Sequence, residues 1–259
     1  MILTLDVGNT QIHGGVFQGE ELLRSFRLKT DINSTSDEIG LFLHSFLSTW
    51  HLERDSVSEV AICSVVPVLH HSLRVACMKY FQREPFVIGP GVKTGLKVRY
   101  HNPSEVGADR IVNAAYAAHL HEGKNLVLVD LGTATTFCLV SHKKDYLGGM
   151  ILPGVKTSQA SLVAKGARLP SFPILKPQEL VGRSTVQSLQ SGLYHGQVGA
   201  ITHIIDLVKR DVFEEEHPPL VIGTGGFCNL LSEDLPLDHQ YPDLTLQGLK
   251  YLLERNVSL

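Results

Sequence analysis

The chain has 259 residues, a hydrophobic fraction of 43% and a net charge of −3 at neutral pH, enough apolar material for one large or two modest packed domains. Basic and acidic residues are mixed along it, with no basic block, which argues against an electrostatic nucleic-acid footprint. No apolar run approaches the ~18 residues of a membrane span, and the first one lacks a basic lead and is cut short by Asp6, so a cytoplasmic protein without signal peptide or membrane contact is expected.

Ile2-Leu3-Thr4-Leu5 reads as a short buried strand. Asp6-Val7-Gly8-Asn9-Thr10 follows it. Gly8 lets the backbone take a positive φ and approach a ligand closely. Asp6 offers hard oxygens to Mg²⁺, directly or through water, and backbone N–H groups with the Thr10 hydroxyl can hold phosphate oxygens. Taken alone, the pentapeptide favours the plainer reading, a β-hairpin with an Asn-containing turn. Val16-Phe17 and Leu22-Leu23 extend the sheet around a turn at Gly19. Residues 34–38 offer several N-caps to an amphipathic helix carrying Ile39, Leu43, Phe46 and Leu47, closed by Trp50, which is expected in the core. Residues 60–66 form a second buried strand stopped by Pro67. A helix over residues 70–80 buries Leu73, Ala76, Cys77 and Tyr80, and Phe86-Val87-Ile88 is a third strand. Such alternation implies parallel strand pairs covered by helices.

Residues 89–95 are a glycine-rich loop leading to Val98-Arg99-Tyr100. Ser104 is placed to cap a helix running to about His121, with Gly107 and Ala108 in its first turn and Asp109-Arg110 next. Small residues there admit a ligand to the positive end of the helix dipole. Leu126-Val127-Leu128-Val129 is another buried strand, and Phe137-Cys138-Leu139-Val140 pairs back on the segment after it. Residues 146–154 read as a glycine-rich loop before a helix over 157–165, and residues 169–177 as irregular. A long helix over 186–208 carries Gly192, Gly196 and Gly199 at helical spacing, which suggests close helix packing or a dimer seam. Residues 214–216 are a solvated acidic turn, Leu220-Val221-Ile222 is the last clear strand, ended by Gly223-Thr224-Gly225-Gly226, and a terminal helix runs from about residue 243 to 254. The four cysteines show no C-x-x-C spacing and the histidines are scattered, so reduced buried thiols and no zinc site are expected.

Between the apolar strands lies an echo. Asp130-Leu131-Gly132-Thr133-Ala134-Thr135-Thr136 repeats the order of Asp6 to Thr10: buried strand, acid, apolar residue, glycine, then small polar residues. A repeat beginning near the midpoint suggests two related halves, 1–111 and 112–259, each presenting an acidic glycine turn to a shared cleft. The pair resembles the two phosphate loops of the actin and sugar-kinase superfamily. With Gly107-Ala108-Asp109-Arg110 and Gly89-Pro90-Gly91-Val92-Lys93-Thr94-Gly95, the chain resembles the type III pantothenate kinase family over nearly its whole length.

The resemblance implies an α/β fold of two related ribonuclease H-like halves, each a mixed sheet with helices, facing a central cleft. It implies transfer of the ATP γ-phosphoryl group to the primary hydroxyl of pantothenate, the first step of coenzyme A biosynthesis, with Asp109 as general base. Asp6 would hold Mg²⁺; the nucleotide would lie along Asp6, Val7, Gly8, Asn9, Thr10, Gln11, Ile12, His13 and Thr133. Tyr100, Gly107, Ala108, Asp109 and Arg110 would form the pantothenate pocket, Arg110 reaching the carboxylate. Asp130 would hold K⁺ or NH₄⁺. Thr185 would contact substrate from the partner subunit of a homodimer, and residues 223–226 would lie against adenosine. Gln11-Ile12-His13 and the run from Val155 to Gln159 depart from the usual family pattern. Two other readings remain: a sugar or amino-sugar kinase of the same superfamily, and a non-catalytic accessory factor in transcription.

Overall fold

The computed structural model of the chain describes residues 1–166 and 169–257. In chain order, β1 (Ile2–Val7), β2 (Gln11–Gln18) and β3 (Glu21–Lys29) lead to α1 (Ser36–Thr49), β4 (Glu59–Ser64), α2 (His70–Phe81) and β5 (Phe86–Val87). Next come β6 (Lys97–Val98), α3 (Ala108–Leu120), β7 (Leu126–Leu131), β8 (Ala134–Val140), β9 (Asp145–Pro153), α4 (Val155–Lys165) and α5 (Thr185–Asp211). β10 (Leu220–Thr224), α6 (Cys228–Leu231), β11 (His239–Gln240) and α7 (Leu244–Asn256) complete the order. The chain divides into two compact units: Met1–Gly95, Asn102–Tyr116 and Leu244–Leu259 in the first, Leu96–His101 and Ala117–Asp243 in the second.

In the first unit, five strands among the described residues form a sheet in the order β3-β2-β1-β4-β5. β1 pairs antiparallel with β2 and parallel with β4. Its apolar run is almost continuous because both faces of the sheet are covered. On one face Leu3, Leu5, Val7, Ile12 and Ile62 pack with Ile39, Leu43 and Leu47 of α1 and Leu73, Ala76 and Phe81 of α2. Each of the larger of these buried side chains contributes about 1.5–3 kcal/mol. The opposite face is covered by α7, whose Leu246 lies 2.9 Å from the position a Cβ on Gly15 would take. α1 begins in a capping box: the Glu38 amide donates to Thr35 Oγ1 at 3.2 Å and the Thr35 amide donates to Glu38 Oε2 at 2.8 Å. The loop over residues 89–95 is fastened to the end of α7, where Asn256 Oδ1 accepts from the Lys93 amide at 2.8 Å and Asn256 Nδ2 donates to the Lys93 carbonyl at 3.3 Å.

In the second unit, six strands among the described residues take the order β11-β10-β7-β8-β9-β6. β7 lies between antiparallel β8 and parallel β10, the same arrangement that surrounds β1. Val127, Val129, Leu131, Phe137 and Leu139 pack with Leu193, Tyr194, Ile201, Ile205 and Val208 of α5.

Several elements differ from the sequence expectation. Trp50 does not enter the core: it is 47% exposed, with the Arg24 guanidinium 4.5 Å from its ring centroid, because α1 ends just before it and its inward turn is already filled by Leu47. Phe81, one residue beyond the expected end of α2, takes the buried place assigned to Tyr80. Ser104 does not cap α3. Residues 103–105 form a separate 3₁₀ turn capped by Asn102, and α3 starts at Ala108. Residues 145–153 are a strand, not a loop, since their glycines leave room on a sheet already paired to β8. A Cβ on Gly192, Gly196 or Gly199 would meet nothing within 4 Å among the described residues, so no described helix packs closely on them.

Gly14 is required by its cross-strand partner. It pairs with Phe26, whose ring occupies the place of the missing Cβ and packs 5.1 Å and 4.6 Å from the Phe42 and Phe46 rings of α1. Gly14→Ala is expected to lower unfolding free energy by about 1–3 kcal/mol, measured by urea denaturation.

Candidate active site

Asp6 is half-buried, one residue before the end of β1, and residues 8–10 form the tip of the β1–β2 hairpin. The hairpin and phosphate-turn readings are therefore compatible. Register sets Asp6 beside His13 on β2 and Cys63 on β4. The tip is held from behind by Thr30, which the sequence reading missed. Its amide donates to the Thr10 carbonyl at 3.0 Å, and its hydroxyl donates to the Gly8 carbonyl at 2.7 Å. Fixing both carbonyls orients the turn as a cradle of the kind that accepts phosphate oxygens. Asn9, Thr10 and Gln11 are exposed, whereas Val7 and Ile12 are buried in the core. Val7 and Ile12 thus offer a ligand only backbone. His13 is buried, and burial, aided by the charge of Arg27, lowers its pKa to about 4; the imidazole is neutral at physiological pH.

Asp109 lies in the first turn of α3. Its Oδ1 accepts from the Arg110 amide at 2.8 Å, and a Cβ on Gly107 would come 2.5 Å from that oxygen. Gly107 thus permits the carboxylate to fold back over the helix start. Burial raises the Asp109 pKa above the ordinary carboxylate value, opposed by the Arg110 amide and guanidinium. Burial, then Asp6 and Asp109, push the Cys63 thiol upward, so both carboxylates act on the same buried point. Ala108 is half-buried and Arg110 is only 7% exposed.

In the second unit, Asp130 is near the end of β7. The Thr133 carbonyl accepts from the Gly154 amide at 3.2 Å and the Thr157 hydroxyl at 2.6 Å, which sets the start of α4 behind the second turn. A Cβ on Gly154 would overlap the carbonyl oxygens of Gly132 and Thr133. Gly225, at φ +90°, approaches Asp130 so closely that a Cβ would overlap its Oδ1. Tyr100 is half-buried and lies against Gly148, a Cβ on which would be 3.5 Å from the ring. Thr185 is exposed at the first position of α5, after Ser184, whose hydroxyl accepts from the Gln187 amide.

Among the described residues no group of three or more His, Cys, Asp or Glu could hold a metal ion by itself. One carboxylate at a phosphate turn nevertheless suits Mg²⁺, which prefers to keep waters and bind through substrate phosphates. No helix of the described residues is long and apolar enough to cross a membrane.

Two mixed sheets, each with an acidic turn beside its central strand, define an α/β protein of the actin and sugar-kinase fold. The structure matches a Sinorhizobium meliloti protein assigned as a 2-dehydro-3-deoxygalactonokinase (TM-score 0.60, 11% identity, covering 100% of this chain and 98% of that one). It also matches a Campylobacter jejuni protein assigned to the Baf family of transcriptional activators (TM-score 0.60, 19% identity, 99% and 100% covered). Both likenesses concern fold alone. The family model for type III pantothenate kinase matches residues 2–207, and the type III pantothenate kinase of Legionella pneumophila strain Paris is 47% identical over 258 residues, 100% of both chains. The chain belongs to the type III pantothenate kinase family: it phosphorylates pantothenate with ATP, and neither the sugar-kinase nor the accessory-factor reading is favoured.

Gly225→Ala is expected to displace the Asp130 carboxylate and to force alanine into a positive φ, at about 1–2 kcal/mol. Turnover should fall, and Tm should drop by about 2–4 °C per kcal/mol, read by coupled ADP assay and calorimetry.

Proposed function

We propose that Asp109 is the general base of pantothenate phosphorylation. The observation that carries this is its position: a carboxylate in the first turn of α3, folded back over Gly107, with a pKa raised by burial. A raised pKa brings a carboxylate closer to the driving force needed to accept a proton from an alcohol. Asp109 takes the proton of the pantothenate hydroxyl as its oxygen attacks the γ-phosphorus; the bond from phosphorus to the β,γ-bridging oxygen breaks, and ADP leaves.

The remaining residues take supporting roles in this reading. Residues 6–13 and Thr133 line the nucleotide phosphates, Val7 and Ile12 through backbone. Asp6 holds Mg²⁺ and Asp130 holds K⁺ or NH₄⁺, ions that neutralise phosphate charge when bound. Tyr100, Gly107, Ala108 and Arg110 form the pantothenate pocket. The exposed Thr185 and the uncovered glycines of α5 support a homodimer in which Thr185 serves the partner's substrate. Segments 1–111 and 112–259 are read as related halves on the strength of the repeated hairpin. Cytoplasmic placement agrees with four buried cysteines that form no disulfide.

Asp109→Asn is expected to abolish pantothenate-dependent ADP formation. The fold favours the protonated form of this side chain, so its contribution to stability is present at low pH and lost as pH rises through the elevated pKa. The Asn variant should therefore melt at the same or a higher temperature at pH 7, and turnover by the native chain should rise with pH through the Asp109 titration. Full activity in the variant would sink the base assignment. Equal rates in Na⁺ and K⁺ would sink the monovalent-cation site.

A further inference from the structure

We propose that Arg27 and Lys29 of β3 form a cation pair that binds the nucleotide phosphates beside the first turn. This deepens the kinase reading and rests on it. The register across the first sheet runs Asp6 to His13 to Arg27, and Gln11 pairs with Lys29. Directly opposed residues point to the same face, as do residues two apart on one strand. Arg27 and Lys29 therefore share the face of Asp6. Their neighbours Phe26 and Leu28 turn the other way, into the α1 side of the core.

The span from Asp6 to Arg27 is two strand spacings, roughly 10 Å. Between them lies neutral His13, so the row reads carboxylate, uncharged imidazole, guanidinium. That the Arg27 charge is felt at His13 agrees with the register. Arg27 and Lys29 are both exposed, and among the described residues no carboxylate forms an ion pair with either. The strand that carries them is locked to the turn, because Thr30, the next residue after Lys29, ties the Gly8 and Thr10 carbonyls. Two cationic side chains are thus carried on a strand whose backbone is tied to a turn shaped for phosphate.

The chemistry suits the task. Phosphoryl transfer to an alcohol depends on neutralising charge at non-bridging oxygens. A guanidinium meets phosphate with a two-pronged fork, and an ammonium meets it as a point charge. Because β3 lies across β2 and β1 from β4, where the Asp109 charge is felt at Cys63, the effect falls on nucleotide rather than pantothenate.

The test is a set of three variants, Arg27→Ala, Lys29→Ala and the double variant, each with Arg27→Lys as conservative control. Binding of a non-hydrolysable ATP analogue with Mg²⁺ is measured by calorimetry, beside steady-state kinetics and Tm. The expected result is an affinity loss of about tenfold for Arg27→Ala, equivalent to one tenfold step in Kd, with partial recovery in Arg27→Lys and by added guanidinium. The ATP KM should rise, the pantothenate KM should stay within twofold, and Tm should be unchanged. Analogue affinity within twofold of the native chain in the double variant overturns the proposal, as does a loss confined to pantothenate KM. Failure of the native chain to turn over pantothenate would strike the kinase reading instead, since the binding measurement needs no acceptor.

Discussion

The structure depends on a charged group placed where a buried strand ends. β1 is covered on both faces and paired on both sides, so its polar backbone is satisfied and its apolar side chains are removed from water. Asp6 stands at the end of that run. A carboxylate one turn earlier would carry a desolvation penalty of several kcal/mol; at the strand end it can be shared with a ligand. β7 and Asp130 repeat the solution in the second unit, with β8 and β10 in the places of β2 and β4.

Burial of charge recurs at Asp109. The fold raises its pKa, which means that the ionised form is held against the preference of its surroundings. The Arg110 amide and guanidinium limit that penalty without removing it. A carboxylate held in this way costs stability, and Gly107 is part of the same compromise, since any side chain there would crowd Asp109 Oδ1. The glycines at 154 and 225 make comparable room for the second turn and for Asp130.

Much of this was legible in the sequence because the signals were local. The two acidic turns and the strands leading into them were each visible as a run of residues with one physical requirement. What escaped was set by distant partners. Thr30 looks like any polar residue after a strand, and only its bonds to Gly8 and Thr10 reveal its part. Trp50 reads as a core residue at the close of its helix, although that helix fills its inward positions with Leu43 and Leu47. The strand over 145–153 was hidden by its glycines, which read as a loop until pairing with β8 supplied the missing reason. The start of α3 was misplaced because Pro103 and Asn102 make a complete small turn of their own before the helix begins.

The fastening of Lys93 to Asn256 has a bearing on how the protein is made. The first unit takes in both the earliest strands and the helix from Leu244 to Asn256. A ribosome delivers those strands long before that helix, so the sheet emerges with its α7 face bare. Domains usually fold as units during synthesis, yet here the nascent first unit must wait for the second to be translated before its open side is sealed. The face left open in that interval is the one that bears Asp6.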